Sequence, residues 1–179
     1  LQSLSQLVSA HRRTSILNNV SSTNSVHYIR QMLVKLNLPM HPQRLKQDNG
    51  KQLIFCWVRK KFLILTPEEW VRQNLISFLQ YELSYPLSLM KIERQVKGGA
   101  RNKRADLIIC NTQGEAQVLI ECKAPNEKLN KETFFQVGRY NRYINAPLLV
   151  ISNGLEHFCC ELTDKNDFRF LEAIPAYIK

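Results

Sequence analysis

Apolar and polar positions change period several times along this chain, and each change marks an element. Residues 52–57 (QLIFCW) and 61–65 (KFLIL) are short apolar runs that read as strands. In the stretch TPEEWVRQNLISFLQYEL, Val71, Leu75, Phe78 and Leu79 recur at helical spacing on one face. Thr66 suits an N-cap, Pro67 the first helical position, and Glu69 completes a capping box. This predicts a helix over 67–83, closed by Tyr85-Pro86. Three strands are predicted next. Residues 89–97 alternate apolar with polar, while 105–110 and 117–124 are apolar on both faces and belong inside a covered sheet. The loop 111–116 (NTQGEA) joins the last two as a hairpin. A second helix is predicted over 130–144, with Asn130 as its N-cap and Ala146-Pro147 after it. A buried strand at 148–152, an Asn153-Gly154 hairpin turn, a strand at 155–162 and a short one near 168–171 complete the pattern. The order is helix, three-strand meander, helix, strand, an α/β arrangement with a mixed sheet flanked by helices.

Composition sharpens the boundaries. Residues 1–31 hold seven Ser and no acid, with little periodicity, which predicts a poorly ordered extension ahead of a single domain at 32–179. Met32 is a plausible natural start. A chain of 179 residues buries a full core without disulfides or structural metal. No apolar run is long enough for a membrane helix, and the first residues lack the apolar core of a secretory signal. The five cysteines show no zinc-site spacing, so they read as small buried hydrophobes in a reducing cytoplasm. The net charge of +10 favours a polyanionic partner, nucleic acid first. Residues 91–104 carry six Lys and Arg against Glu93 alone, and within them Lys97, Arg101, Lys103 and Arg104 form a basic loop suited to phosphate contacts.

The candidate chemistry lies in the 105–124 hairpin. With 111–116 as its loop, Asp106 falls opposite Glu121, and period two puts Lys123 on the face of Glu121. Facing carboxylates repel unless a cation lies between them. Hard oxygen ligands of this kind suit Mg2+, which can polarise a phosphodiester, while Lys123 can hold or deprotonate the attacking water. The alternative is a structural salt bridge of Lys123 with Asp106 or Glu121. Glu82 and Glu93 read as solvated, and His157 as packed after the Asn-Gly turn. The four histidines have no ligand spacing, and no Ser-His-Asp arrangement, dinucleotide fingerprint or phosphate-binding ATP loop is present.

RADLIIC…VLIECKAP, an Asp and then Glu-x-Lys after fourteen residues, resembles the PD-(D/E)XK nuclease motif. Together with TPEEWVRQNL, QVGRYN and LLVISNGLEHFCC, in that order, it resembles the N-terminal nuclease domain of type I restriction enzyme R subunits over about Leu36–Leu162. Ala105 stands where the nominal motif has proline. The resemblance implies a restriction-endonuclease-like core and a Mg2+-dependent DNA endonuclease, with Mn2+ as a substitute ion. It implies Asp106, Glu121 and the Cys122 carbonyl as metal ligands, Lys123 as the water-activating lysine, and Gln136 and Tyr140 as a Gln-x-x-x-Tyr pair beside them. Glu69 is a further accessory acid, though its capping role already explains it. Motor or specificity chains of a restriction system are the implied partners, since this chain has no ATP site of its own. The alternative is a non-catalytic DNA-binding or assembly module on the same fold, and a weaker one is cleavage of RNA.

Overall fold

The computed structural model describes residues 33–95, 104–163 and 167–178. The predicted extension 1–31 and the loop residues Lys97, Arg101 and Lys103 lie outside these residues.

Two sheets sandwich one helix. The first sheet is antiparallel, in the order β1 (Leu45–Asp48), β2 (Lys51–Cys56), β3 (Lys61–Ile64). The sequence pattern did not predict β1, because LKQD carries a single apolar residue. Asn49 and Gly50, both with positive φ, form the turn that folds it onto β2. Helix α1 (Pro67–Tyr81) then crosses between the layers, touching β2 on one side and the second sheet's β6 on the other. Thr66 caps it, accepting a hydrogen bond from the Glu69 N–H at 3.0 Å.

This double cover corrects the one-faced reading of α1. Arg72, Gln73, Asn74 and Ser77 are buried together with Val71, Leu75, Ile76 and Leu79. Several of their polar atoms find partners inside the layers: Asn74 donates to the Trp70 carbonyl, Ser77 to the Gln73 carbonyl, Gln73 to Glu69, and Gln43 reaches across to Ser77 at 2.8 Å. The predicted end at 83 also moves inward, with Glu82 as the C-cap. Glu82 is exposed, as expected, and lies 2.9 Å from His41 Nε2.

The second sheet has six strands in chain order: β4 (Met90–Gln95), β5 (Arg104–Cys110), β6 (Ala116–Cys122), β7 (Leu148–Ser152), β8 (His157–Leu162) and β9 (Phe168–Leu171). Neighbours are antiparallel except β6 and β7, which run parallel because helix α2 (Lys131–Ile144) connects them. Asn130 caps α2 through the Thr133 N–H, as predicted, and Asn145 ends it in the left-handed conformation. One core fills the space between α1 and the sheet, built around Leu75, Ile76, Leu107, Ile120 and Val150. The other lies under α2, built around Val137, Ile108, Leu119, Leu149 and Ile151. All five cysteines are free and buried. Among the described residues no helix is long and apolar enough to cross a membrane.

Candidate active site

The β5–β6 hairpin keeps the predicted register by a different route. Leu107 pairs with Ile120, Ile108 with Leu119 and Ile109 with Val118, so Asp106 and Glu121 occupy the next positions along the ladder. The loop is one residue shorter than expected. Cys110 pairs with Ala116 rather than Gln117, and a bulge between Ile109 and Cys110 absorbs the difference. Asn111 closes the turn by accepting the Gln113 and Glu115 N–H groups on its side-chain oxygen.

At the open end of this hairpin the charged groups converge. Asp106 turns one carboxylate oxygen onto the Cys122 N–H at 2.8 Å and the other onto the Arg72 guanidinium at 3.1 Å. Arg72 also holds Glu68 at 3.0 Å and Glu69 at 2.8 Å, and its side chain is only 5% exposed. Lys123 Nζ lies 3.0 Å from Glu121 Oε1, with 20% and 10% of the two side chains exposed. The Lys123 N–H donates to the Ser152 carbonyl, extending the parallel ladder one residue past Cys122 and fixing where the lysine starts. Glu121 stands beside Ile151 in that ladder, at the rim of the core under α2.

Sequence reasoning missed Arg72 and Glu68. The Glu68-Glu69-x-x-Arg72 spacing was visible, but on an ordinary surface helix it signals a solvated ion pair. Only the second sheet over α1 makes it a buried one. Glu69 is corrected in the same way. Its N–H takes part in the cap, but its carboxylate binds Arg72 and Gln73 rather than completing a capping box. Gln136 is half-buried on α2. Among the described contacts it makes no hydrogen bond to Asp106, Glu121 or Lys123. Tyr140 lies on the same helix and Arg104 opens β5, but their side chains are outside the described set. His157 opens β8, bonded to Ser152 Oγ at 2.8 Å and to the Asn37 carbonyl at 3.1 Å. The Asn153-Gly154 turn spans four residues rather than two, because Asn153 Oδ1 accepts both the Leu155 and Glu156 N–H groups.

The electrostatics follow from this packing. Burial first, and the charge of Glu121 second, push Asp106 up to about 7 against the opposing pull of Arg72 and the Cys122 N–H. Burial works against the charge of Arg72, but Asp106 and Glu69 together outweigh it and hold the guanidinium above its ordinary range. Burial likewise opposes the Lys123 charge, and Glu121 more than offsets it, so the ammonium titrates above its usual range. Burial raises Glu68 by more than Arg72 and Lys123 lower it.

The model of the type I restriction enzyme R protein N-terminus family matches residues 67–175, from the first residue of α1 to beyond β9. The chain belongs to that family. A comparison with the curated proteins found no match. The R-protein family span contains Glu68, Arg72, Asp106, Glu121 and Lys123, and it excludes β1–β3. Its helix, meander, helix and parallel strand are the restriction-endonuclease-like arrangement expected from the sequence, and family membership points to a nuclease role on DNA within a restriction system.

The donor chemistry fits a magnesium ion. Asp106 and Glu121 offer hard carboxylate oxygens, and their mutual repulsion is what a divalent cation relieves. Among the described residues no three His, Cys, Asp or Glu side chains group closely enough to hold a metal by themselves. Two carboxylates completed by a main-chain carbonyl and waters are, however, an ordinary set for this ion.

Proposed function

We propose that the chain is a Mg2+-dependent DNA endonuclease domain, with Mn2+ as a substitute ion. The observation that carries this reading is the pair Asp106 and Glu121. They lie at the open end of one hairpin in a family of restriction enzyme R proteins, with Asp106 raised by burial and then by Glu121, and a lysine ammonium 3.0 Å from Glu121. Asp106, Glu121 and the Cys122 carbonyl hold the ion. Its chemistry is to polarise the phosphodiester and acidify a bound water. Lys123 contributes as a cation, donating hydrogen bonds to the attacking water and to a phosphate oxygen and so stabilising the negative charge that develops there. Water adds to phosphorus in line, giving up a proton to solvent, as the bond to the leaving oxygen breaks and that oxygen takes a proton from solvent. Arg72 holds Asp106 in place from α1, and Gln136 acts from α2 on the lysine or the substrate. The partners are DNA and the motor or specificity chains of a restriction system.

A second reading rests on Arg72. Its guanidinium already pairs with Asp106 and two further acids, as suits a DNA-binding or assembly module that has kept the fold without the chemistry. Incubation with supercoiled plasmid and Mg2+ separates the two. A nuclease nicks or linearises the plasmid, and Asp106→Ala, Glu121→Ala and Lys123→Ala abolish this while retaining DNA affinity. Mg2+ should also raise the melting temperature of the native protein and not that of Asp106→Asn. Cleavage by any of these variants at the native rate removes the assignment from these residues.

A further inference from the structure

The small sheet carries its polarity the wrong way round. An antiparallel sheet with one face on a core normally shows polar residues to solvent on the other. Here Ile54 and Cys56 are fully buried on the side of α1. Alternation places Leu53, Phe55, Phe62 and Ile64 on the opposite face. Leu53 pairs with Ile64 and Phe55 with Phe62, so these four form two adjacent rows. Ile64 is 57% exposed, while Leu53, Phe55 and Phe62 are half-buried. Trp57 joins it edge-on to Phe55, with ring centres 5.1 Å apart.

The cations on this face are its second feature. The Arg44 guanidinium lies 4.5 Å from the centre of the Phe55 ring and 5.9 Å from those of Trp57 and Phe62. Lys46 Nζ lies 4.8 Å from the Phe62 ring. Both cations are on exposed residues. Lys51, Lys60 and Lys61 add exposed charge at the ends of the strands, and Asp48 is the only acid on the three strands. Protein interfaces favour aromatics and Arg but are depleted of Lys, so the four lysines, Lys46, Lys51, Lys60 and Lys61, are what set this patch apart from them. Rings and guanidinium planes amid positive charge are what an unpaired nucleic-acid strand requires: bases stack on the planes and phosphates meet the cations.

We propose that the outer face of β1–β3 is a binding platform for unpaired DNA, separate from the site at Asp106. Arg44 and Lys46 take phosphates, and Phe62 and Trp57 take bases. The face lies outside the span that matches the R-protein family, so membership of that family does not assign it. The choice of DNA as the nucleic acid rests on the proposed nuclease function, while the stacking and charge of the platform do not depend on it.

The test uses the full chain in EDTA, where no cleavage can occur. With Trp70→Phe as background, Trp57 is the sole tryptophan and reports on its own face. Addition of a short oligo(dT) should quench it. Arg44→Gln with Lys46→Gln should weaken binding about tenfold and flatten the dependence of log Kd on log salt by about 1.4, roughly 0.7 for each lost phosphate contact. A melting curve close to that of the native protein shows that this double variant is folded. Unquenched Trp57, an unchanged affinity in the folded double variant, or quenching of Trp57 at a lower concentration of the corresponding duplex than of the single strand would each overturn the platform. If strand binding behaves as stated but plasmid is never cut, the hydrolase reading falls and the platform stands.

Discussion

Three carboxylates converge on the Arg72 guanidinium, and that crowding governs what single substitutions do. Removing the cation leaves Glu69 buried beside Gln73, and leaves Asp106 near Glu121 with only the Cys122 N–H to hold it. Arg72→Met should therefore cost about 3–5 kcal/mol, since it strands buried charge, and urea unfolding at neutral pH would measure it. Asp106 sets a pH dependence. Its folded-state pKa is raised to about 7, above its unfolded value, so the folded protein binds the extra proton. Its stabilising contribution is complete below about pH 4 and is lost as pH rises through 7. Metal-free protein should lose a few kcal/mol across that window on this account. Burial lowers the pKa of His157, which acts in the opposite sense over part of the same range. The informative quantity is thus the difference between the native protein and Asp106→Asn in urea midpoints taken from pH 4 to 8. If the two curves run parallel, Asp106 does not titrate as its surroundings require.

At the scale of elements, the sequence was most readable where one local rule acted alone. Asn130 and Pro147 bracket α2, so its limits agree with expectation, and Asn130→Ala should cost about 1 kcal/mol in thermal or urea unfolding. The β5–β6 register was readable because a slip by one residue would turn every apolar side chain to the wrong face. The bulge that preserves it was not, since nothing in NTQGEA distinguishes a five-residue loop with a bulge from a six-residue loop without one. The site shows the same division. Asp106, Glu121 and Lys123 could be read from strand periodicity, whereas Arg72 and Glu68 needed a sheet on each side of α1, which helical spacing does not reveal. The turn at Gly154 is a further case. The residue has a positive φ of 82°, and a Cβ there would meet Leu36 at 2.6 Å and Val71 at 3.1 Å. Gly154→Ala should accordingly destabilise by roughly 1–3 kcal/mol, both from the left-handed backbone and from the displaced Leu36. A melting temperature equal to that of the native protein would show that residues 36 and 154 do not pack in this way.

At the scale of the whole molecule, the layers explain where charge could be expected. The helix-meander-helix-strand order was legible because each connection is short and each element has its own period. The first sheet was only partly legible: β2 and β3 are apolar, while β1 is defined by its partner. A net charge of +10 called for a polyanion without saying where it sits. The described structure places a basic aromatic face on one outer layer, beyond the family span, and the paired acids at the end of the other sheet.

The chain-order arrangement of the six-stranded sheet has a kinetic consequence. Asp106 and Glu121 are brought to the same end of the sheet by a hairpin, a local event on the microsecond scale. Arg72 must be delivered by a helix 34 residues earlier, and loop closure of that kind is slower and comes later. The acids thus meet before their counter-charge arrives. Arg72→Met should therefore speed unfolding far more than it slows refolding, and stopped-flow chevrons in EDTA would show the change confined to the unfolding limb. A folding limb slowed in equal measure would mean instead that α1 is already docked on β5 when the chain crosses its barrier.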